Sequence, residues 1–436
     1  MSSLASLRSL RPHHLSSGFI AVLVGYTSSA VIIFQAAASA GATAAQLGSW
    51  LTVLGLGMGV TTIGLSLRYR VPILTAWSTP GAALLIASLA GVPMGESIGA
   101  FFCSSVLLLI CGFSGLFARV MHRLPLHLAN AMLAGVLLRF GLDLCHAFQL
   151  QPLLVGSMGL AFLLCKPLLP RYALPLTLLL GIVVAWPLNL LHLESIEPAA
   201  VQLIWTTPQF SLHSLLGVAL PLFMVTMSSQ NLPGVAVLRA HGYHPPVSPL
   251  VGWTGLTGAL LAPFGCYALN LAAITAALCM SKEADADPQR RYLAACCAGF
   301  LYLLTGLLGA TVASLFAALP QPLIMAIAGL ALLGTLSNSL QQALQVEADR
   351  EAAIITFLVT ASGVTGFGIG SAFWGLLAGG VALLLHADVI RRLSSRLGYQ
   401  SRWNSKSRCR SVKTKDSSGE PEAGGTEVAL EPSQRN

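Results

Sequence analysis

The sequence predicts an all-α polytopic membrane protein of about 14 transmembrane segments in a 7+7 inverted repeat, with segments 3 and 10 each broken into a short extended run plus a half-helix. Three observations predict it. The 436-residue chain is 55% apolar and only 9% charged, against roughly 25% charged in a soluble domain. Two apolar stretches, far apart, are interrupted by Pro and Gly in the same way, which is the best sequence pointer to a transporter's binding site. The basic residues sort to one side of the expected membrane, as the positive-inside rule requires.

The expected spans of the first half are 18–39, 47–67, a broken 72–90, 96–118, 126–145, 151–169 and 172–191. Those of the second are 212–236, 247–262, a broken 263–280, 292–317, 320–339, 351–364 and 368–387. The chain then divides into a cytoplasmic N-terminus (1–17), a first repeat (18–191), an extracytoplasmic loop (192–211), a second repeat (212–388) and a disordered basic cytoplasmic tail (389–436). Arg8 and Arg11 precede the first apolar run, and Ala38-Ser39-Ala40 resembles a signal-peptidase site. That run exceeds the about 7–15 residues of a signal h-region, so it reads as a retained first helix.

The first broken stretch, Val71 to Ala90, has an extended run after Pro72 and then Ser78-Thr79-Pro80-Gly81. Thr79 as N-cap with Pro80 at the first helical position is a helix-start signal. In the second, Ala262 to Met280, Pro263 and Gly265 favour an irregular entry, and Asn270 is read as the N-cap of a short helix. Each half-helix ends near the midplane with its amino end unpaired, which favours an anion.

With both termini cytoplasmic, 23 of the 24 Lys and Arg residues fall inside: thirteen in loops and the N-terminus, ten in the tail. Arg139 is the exception, while Glu96, Glu194 and Glu197 fall outside. An odd number of spans per half inverts the second repeat relative to the first. The nine cysteines show no Cys-x-x-Cys spacing and read as packing residues. The net charge of +8 lies in short loops and the tail, which is no nucleic-acid signal; the tail reads as solvated first, with contact of its basic stretch, Arg402 to Lys415, with anionic membrane lipid as the alternative.

Polar groups inside spans are costly unless they meet partners, water or substrate. Gln230 and Asn231, beside Ser228 and Ser229, are the densest such group, and Gln35 in the first span is another. Thr27 to Ser29 read as close-packing positions. Arg139 and Asp143 lie four apart on one helix face and are expected to pair near the outer end; Asp143 is also the candidate for proton coupling. His122, His127, His213 and His241 have no metal-ligand companion at helical spacing, so no metal is expected. No carboxylate falls in the spans that would line the site, which points to an anionic, carboxylate-bearing substrate. Phe34, Trp77, Phe264 and Tyr267 would wall its body. No zinc-protease pair, nucleophile elbow or phosphate loop appears, so neither an enzyme nor a cofactor is indicated.

Residues Ser229 to Tyr243 (SQNLPGVAVLRAHGY), Ala262-Pro-Phe-Gly265, Asn270 to Ala277, Pro288 to Tyr292 and Phe316 to Pro320 resemble the benzoate:proton symporter (BenE-type) family over about residues 10–395. That family is similar in turn to the uracil-permease and sulfate-permease group. The resemblance implies a core domain of spans 1–4 and 8–11, a gate domain of spans 5–7 and 12–14, elevator-like movement, and often a homodimer. It implies substrate contacts from Ser78, Thr79, Tyr267 and Asn270. Gln230 stands near where nucleobase permeases place a substrate-binding glutamate, and an amide there does not titrate. The expected function is proton-coupled import of an aromatic carboxylate across a bacterial inner membrane. The alternatives are an anion or nucleobase exchanger on the same fold, or a non-transporting membrane scaffold, which would not need two matched broken segments.

Overall fold

The computed structural model describes residues 10–115, 125–170, 172–191, 203–367 and 369–385. The tail, most of the loop 192–211, and Arg119, His122 and Arg123 lie outside the described residues. The protein is mainly helical. Among the described residues seven helices are long and apolar enough to cross a membrane, and an eighth crossing results if one bent pair counts as a single span.

The first half begins with α1 (Pro12–Ser39), α2 (Ala44–Tyr69), strand β1 (Thr75–Trp77), the half-helix α3 (Thr79–Ser88), α4 (Met94–Phe113), α5 (Leu126–Leu150), α6 (Pro152–Leu168) and α7 (Ala173–Ala185). The second has α8 (Leu212–Ala240), α9 (Val247–Leu261), strand β2 (Leu269–Leu271), the short helix α10 (Ile274–Met280), α11 (Tyr292–Leu307), α12 (Gly309–Ala317), α13 (Gln321–Ala343), α14 (Arg350–Ala361) and α15 (Ser371–Leu385).

Three local features differ from expectation. The helix α3 is capped by Ser78, not Thr79: the Ser78 hydroxyl accepts from the Gly81 N–H at 2.9 Å. Asn270 is no helix cap; it sits inside β2, and α10 starts only at Ile274. The expected span 292–317 bends by 67° between α11 and α12. Gly306 and Gly309 flank that bend and let it press onto α2, where a Cβ on Gly55 would lie 2.5 Å from the Gly306 Cα. Small residues at such crossings permit backbone approach in membranes.

Helix α8 carries two π-turns, Leu215–Ala219 and Met227–Asn231. Each is followed two residues later by a proline, Pro221 or Pro233. A proline ring clashes with the carbonyl four residues back and lacks an N–H, and a widened turn relieves both. The second π-turn is where Gln230 and Asn231 sit.

The two strands pair antiparallel, with Ala76 opposite Asn270. A two-stranded sheet at membrane depth needs its free edges satisfied, and flanking side chains do this. Thr75 N–H donates to Thr62 Oγ1 at 3.0 Å, Trp77 N–H to Met58 Sδ at 3.2 Å, and Leu271 N–H to Asn231 Oδ1 at 3.0 Å. Gly265 sets the entry to β2. Its φ of +104° suits glycine, and a Cβ there would lie 1.7 Å from the Trp50 ring.

Candidate functional site

At the strand crossing four of the expected site residues form two hydrogen-bonded pairs. Tyr267 Oη donates to the Ser78 carbonyl at 2.9 Å, and Asn231 Nδ2 donates to Asn270 Oδ1 at 2.9 Å. All four side chains are fully buried. Trp77 lies beside them, but its Nε1–H is used by Ser29 Oγ at 2.7 Å and its ring packs edge-on against Tyr26. Ser29 in turn donates to the Gly25 carbonyl.

These bonds sort the expected residues. Tyr267 ties the second broken segment to the first, Asn231 ties the second to α8, Trp77 ties the first to α1, and the Ser78 hydroxyl caps α3. Thr79, Gln230 and Gln35 are half-buried, and their side chains make no hydrogen bond among the described residues. Asn270 belongs to both groups: its Oδ1 is bonded, while its Nδ2 is buried without a partner. A buried unpaired amide donor costs about 1–3 kcal/mol, and such exceptions call for a role.

The amino end of α3 offers fewer donors than an uncapped helix. Gly81 N–H is taken by Ser78 Oγ, Ala82 N–H by the Ser78 carbonyl, and Pro80 has none. Thr79 therefore supplies the free N–H and the free hydroxyl there. At the second half-helix Ile274, the first residue of α10, is 78% exposed, so open space adjoins that end.

Gln35 and Asp143 lie elsewhere. Both line a cavity of about 610 Å³ between α1, α3, α5 and the α12–α13 corner, together with Arg139 and Gln321. The expected Arg139–Asp143 ion pair is not formed, although both residues line this cavity.

One cluster was missed by the sequence reading. His13 Nε2 and His14 Nε2 lie 3.4 and 2.8 Å from Asp285 Oδ2 and join the start of α1 to the loop after α10. These three are the one group among the described residues with the spacing of metal ligands. The hydrogen bonding fits a clamp better. His14 Nδ1 accepts from the Arg11 N–H at 3.1 Å, which places its proton on Nε2, pointing at Asp285. A metal on that Nε2 would force a proton onto Nδ1, against the Arg11 donor. Burial pushes the Asp285 carboxyl up, but the Asp287 N–H and the two histidines outweigh it and hold it down to about 2. Arg291 completes the clamp, donating to the Met280 and Asp285 carbonyls at 2.8 Å. Adjacent histidines at a helix start and the turn-like Asp285-Ala-Asp287-Pro288 were the available signals.

Comparison with known proteins agrees with this architecture. The BenE family, described as benzoate membrane transport protein, matches residues 8–385. The chain is 52% identical over 379 residues to the inner membrane protein YdcO of Escherichia coli (strain K12), covering 87% of this chain and 97% of that one. It is 35% identical over 369 residues to the benzoate membrane transport protein of Acinetobacter baylyi, covering 85% and 94%. In fold it is similar to the murine Slc26a9 anion transporter in the inward-facing state, with a TM-score of 0.58 at 14% identity over 89% of this chain and 71% of that one. It is also similar to the transmembrane domain of the cyanobacterial bicarbonate transporter BicA, with a TM-score of 0.53 at 14% identity over 84% and 97%. A multi-pass membrane protein with paired broken segments, matched by this family over nearly its whole described length, the chain belongs to the BenE family of membrane transport proteins, which are not enzymes.

Proposed function

We propose that this protein is a secondary active transporter that imports an aromatic carboxylate such as benzoate, coupled to protons by an elevator-type alternating-access movement. The observation that carries the site is the unpartnered Asn270 amide at the crossing of the two broken segments, whose first half-helix begins at Thr79. Thr79, Gln230 and the Asn270 Nδ2 would bind the carboxylate; Ser78, Asn231, Tyr267 and Trp77 would hold the frame, and Gln35 would meet the substrate on its way. The benzoate assignment draws on the Acinetobacter relative.

A 7+7 inverted repeat with about 14 spans is supported by how the helices pair. Exchange of the halves turns α2 into α9 and α11 into α4, and both α2–α11 and α4–α9 are extensive packings. Both close on glycines: Gly55 on Gly306, and Gly112 on Gly252, where a Cβ would lie 2.1 Å from the Gly252 N. With both termini cytoplasmic, the inner membrane and a homodimer complete the proposal.

Uptake of radiolabelled benzoate into proteoliposomes, with and without an inward proton gradient, tests it. Protein-free liposomes subtract passive entry of benzoic acid. Gradient-dependent, protein-dependent uptake is expected. Uptake indifferent to the gradient moves the mechanism to exchange, and no benzoate flux by folded protein overturns the substrate. The fold similarity to two anion transporters favours one second reading, an anion exchanger, which counterflow with bicarbonate or sulfate separates.

A further inference from the structure

The cavity bounded by α1, α3, α5 and the α12–α13 corner is not the strand crossing, yet it holds a guanidinium and a carboxylate side by side. Arg139 and Asp143 are the only ionisable residues in its lining. Neither makes an ion pair or a side-chain hydrogen bond among the described residues. Gln35 and Gln321 add amides, and Phe34 and Phe140 add rings. A volume of about 610 Å³ falls within the ~300–1,000 Å³ usual for small-molecule sites.

The place of the cavity matters as much as its lining. Ala83, Ile86 and Ala87 of α3 form part of its wall. They follow Thr79 by four to eight residues, which at ~1.5 Å per residue puts the cavity roughly 6–12 Å along the same half-helix. A molecule in the cavity would thus be next to the strand crossing but not yet in it.

Resting on the carboxylate-importer reading, we propose that this cavity is a capture site for the substrate's carboxylate, with Arg139 as its recognition group and Asp143 as the fixed negative charge beside it. A planar guanidinium matches a carboxylate with two parallel N–H donors. Arg139 is exposed and lines the cavity, so an anion that enters reaches the guanidinium directly. The amides of Gln35 and Gln321 offer further N–H donors, and Phe34 and Phe140 offer an apolar wall for the ring. Asp143, half-buried in the same lining, repels an anion and so tempers the affinity.

Other charges stand well away. His127, paired with Asp349 at 3.6 Å, begins α5 and lies twelve residues before Arg139, ~18 Å along the helix. Arg350 and Glu351 open α14 beside that same end, and Lys166 closes α6. The parts of α8 that pack on α5, residues 220–231, contain no titratable group. His146 follows Asp143 by three residues and is exposed outside the lining.

The test is equilibrium binding of radiolabelled benzoate to the purified full-length protein at neutral pH, with proteoliposome uptake alongside. Arg139→Gln should weaken binding by about tenfold or more, with Arg139→Lys in between. Asp143→Asn, which removes the like charge beside the guanidinium, should bind more tightly than the wild type. Wild-type affinity in Arg139→Gln would overturn the capture site while leaving the importer intact. No binding or flux by the wild type would overturn both. Should Arg139→Gln not fold, an Asp143→Asn protein that binds more weakly than the wild type overturns the proposal by itself.

Discussion

The Tyr267 hydroxyl donates to the Ser78 carbonyl at 2.9 Å, across 189 residues of sequence, with both side chains fully buried. This bond ties the turn into β2 to the residue that caps α3, so the two broken segments are fixed to each other outside their strands. The same carbonyl also accepts the Ala82 N–H at 2.8 Å, so it keeps a partner if the phenol is lost. Tyr267→Phe is therefore expected to fold and to melt lower, by about 1 kcal/mol, with benzoate affinity unchanged within about twofold. A thermal melt in detergent beside a binding isotherm checks both. An affinity loss larger than the stability loss would place the hydroxyl in contact with substrate.

Asn231 has no such redundancy. Its Oδ1 accepts the Leu271 N–H and its Nδ2 donates to Asn270 Oδ1. Asn231→Leu would strand a backbone donor and an amide oxygen at membrane depth. At about 1–3 kcal/mol for each stranded group, the expected outcome is a severe loss of folded protein, read by size-exclusion chromatography of membranes extracted in detergent. A well-folded Asn231→Leu protein would mean that strand β2 is held by its pairing with β1 alone.

Much of this frame was legible in the chain. Pro72, Pro80, Pro263 and Gly265 announced two interruptions because proline and glycine act locally. Their consequence, an antiparallel pairing of Thr75–Trp77 with Leu269–Leu271, is non-local and has no periodic signature in three residues. Asn270 was read as a helix cap for the same reason: asparagine's local preference is for caps, but here Asn231, on another helix, holds it in a strand. The i, i+4 spacing of Arg139 and Asp143 permits a pair without requiring one, and the cavity that both line has no signature in that spacing. The His13–His14–Asp285 clamp joins positions about 270 apart, beyond any spacing rule.

That clamp should show in the acid stability of the protein. The Asp285 carboxyl is held down to about 2, from an ordinary 3.8. A carboxyl depressed in the folded state contributes stability above its unfolded value, and that contribution is lost as pH falls through the folded one. Asp285→Asn is thus expected to melt below the wild type at neutral pH and down to about pH 4, with the gap closing between about pH 4 and about pH 2. Melts across that range check it. A gap that persists at the acid end would mean that the shape of the side chain, not its charge, anchors the loop after α10.

Thr79 and Ser78 are neighbours with opposite duties, and two substitutions separate them. The Ser78 hydroxyl caps α3 through Gly81 N–H, so Ser78→Ala should cost about 1 kcal/mol of stability and leave benzoate KM within about twofold. The Thr79 hydroxyl makes no bond among the described residues, so Thr79→Val should melt within about 0.5 kcal/mol of the wild type. If Thr79 donates to the substrate carboxylate, its loss removes one hydrogen bond to a charged group, worth about 1.5 kcal/mol or more, and KM rises about tenfold. Uptake assays paired with melts give both numbers from the same preparations. The reverse pattern, with Ser78→Ala weakening uptake and Thr79→Val silent, would move the contact to Ser78 and require α3 to release its cap when substrate arrives.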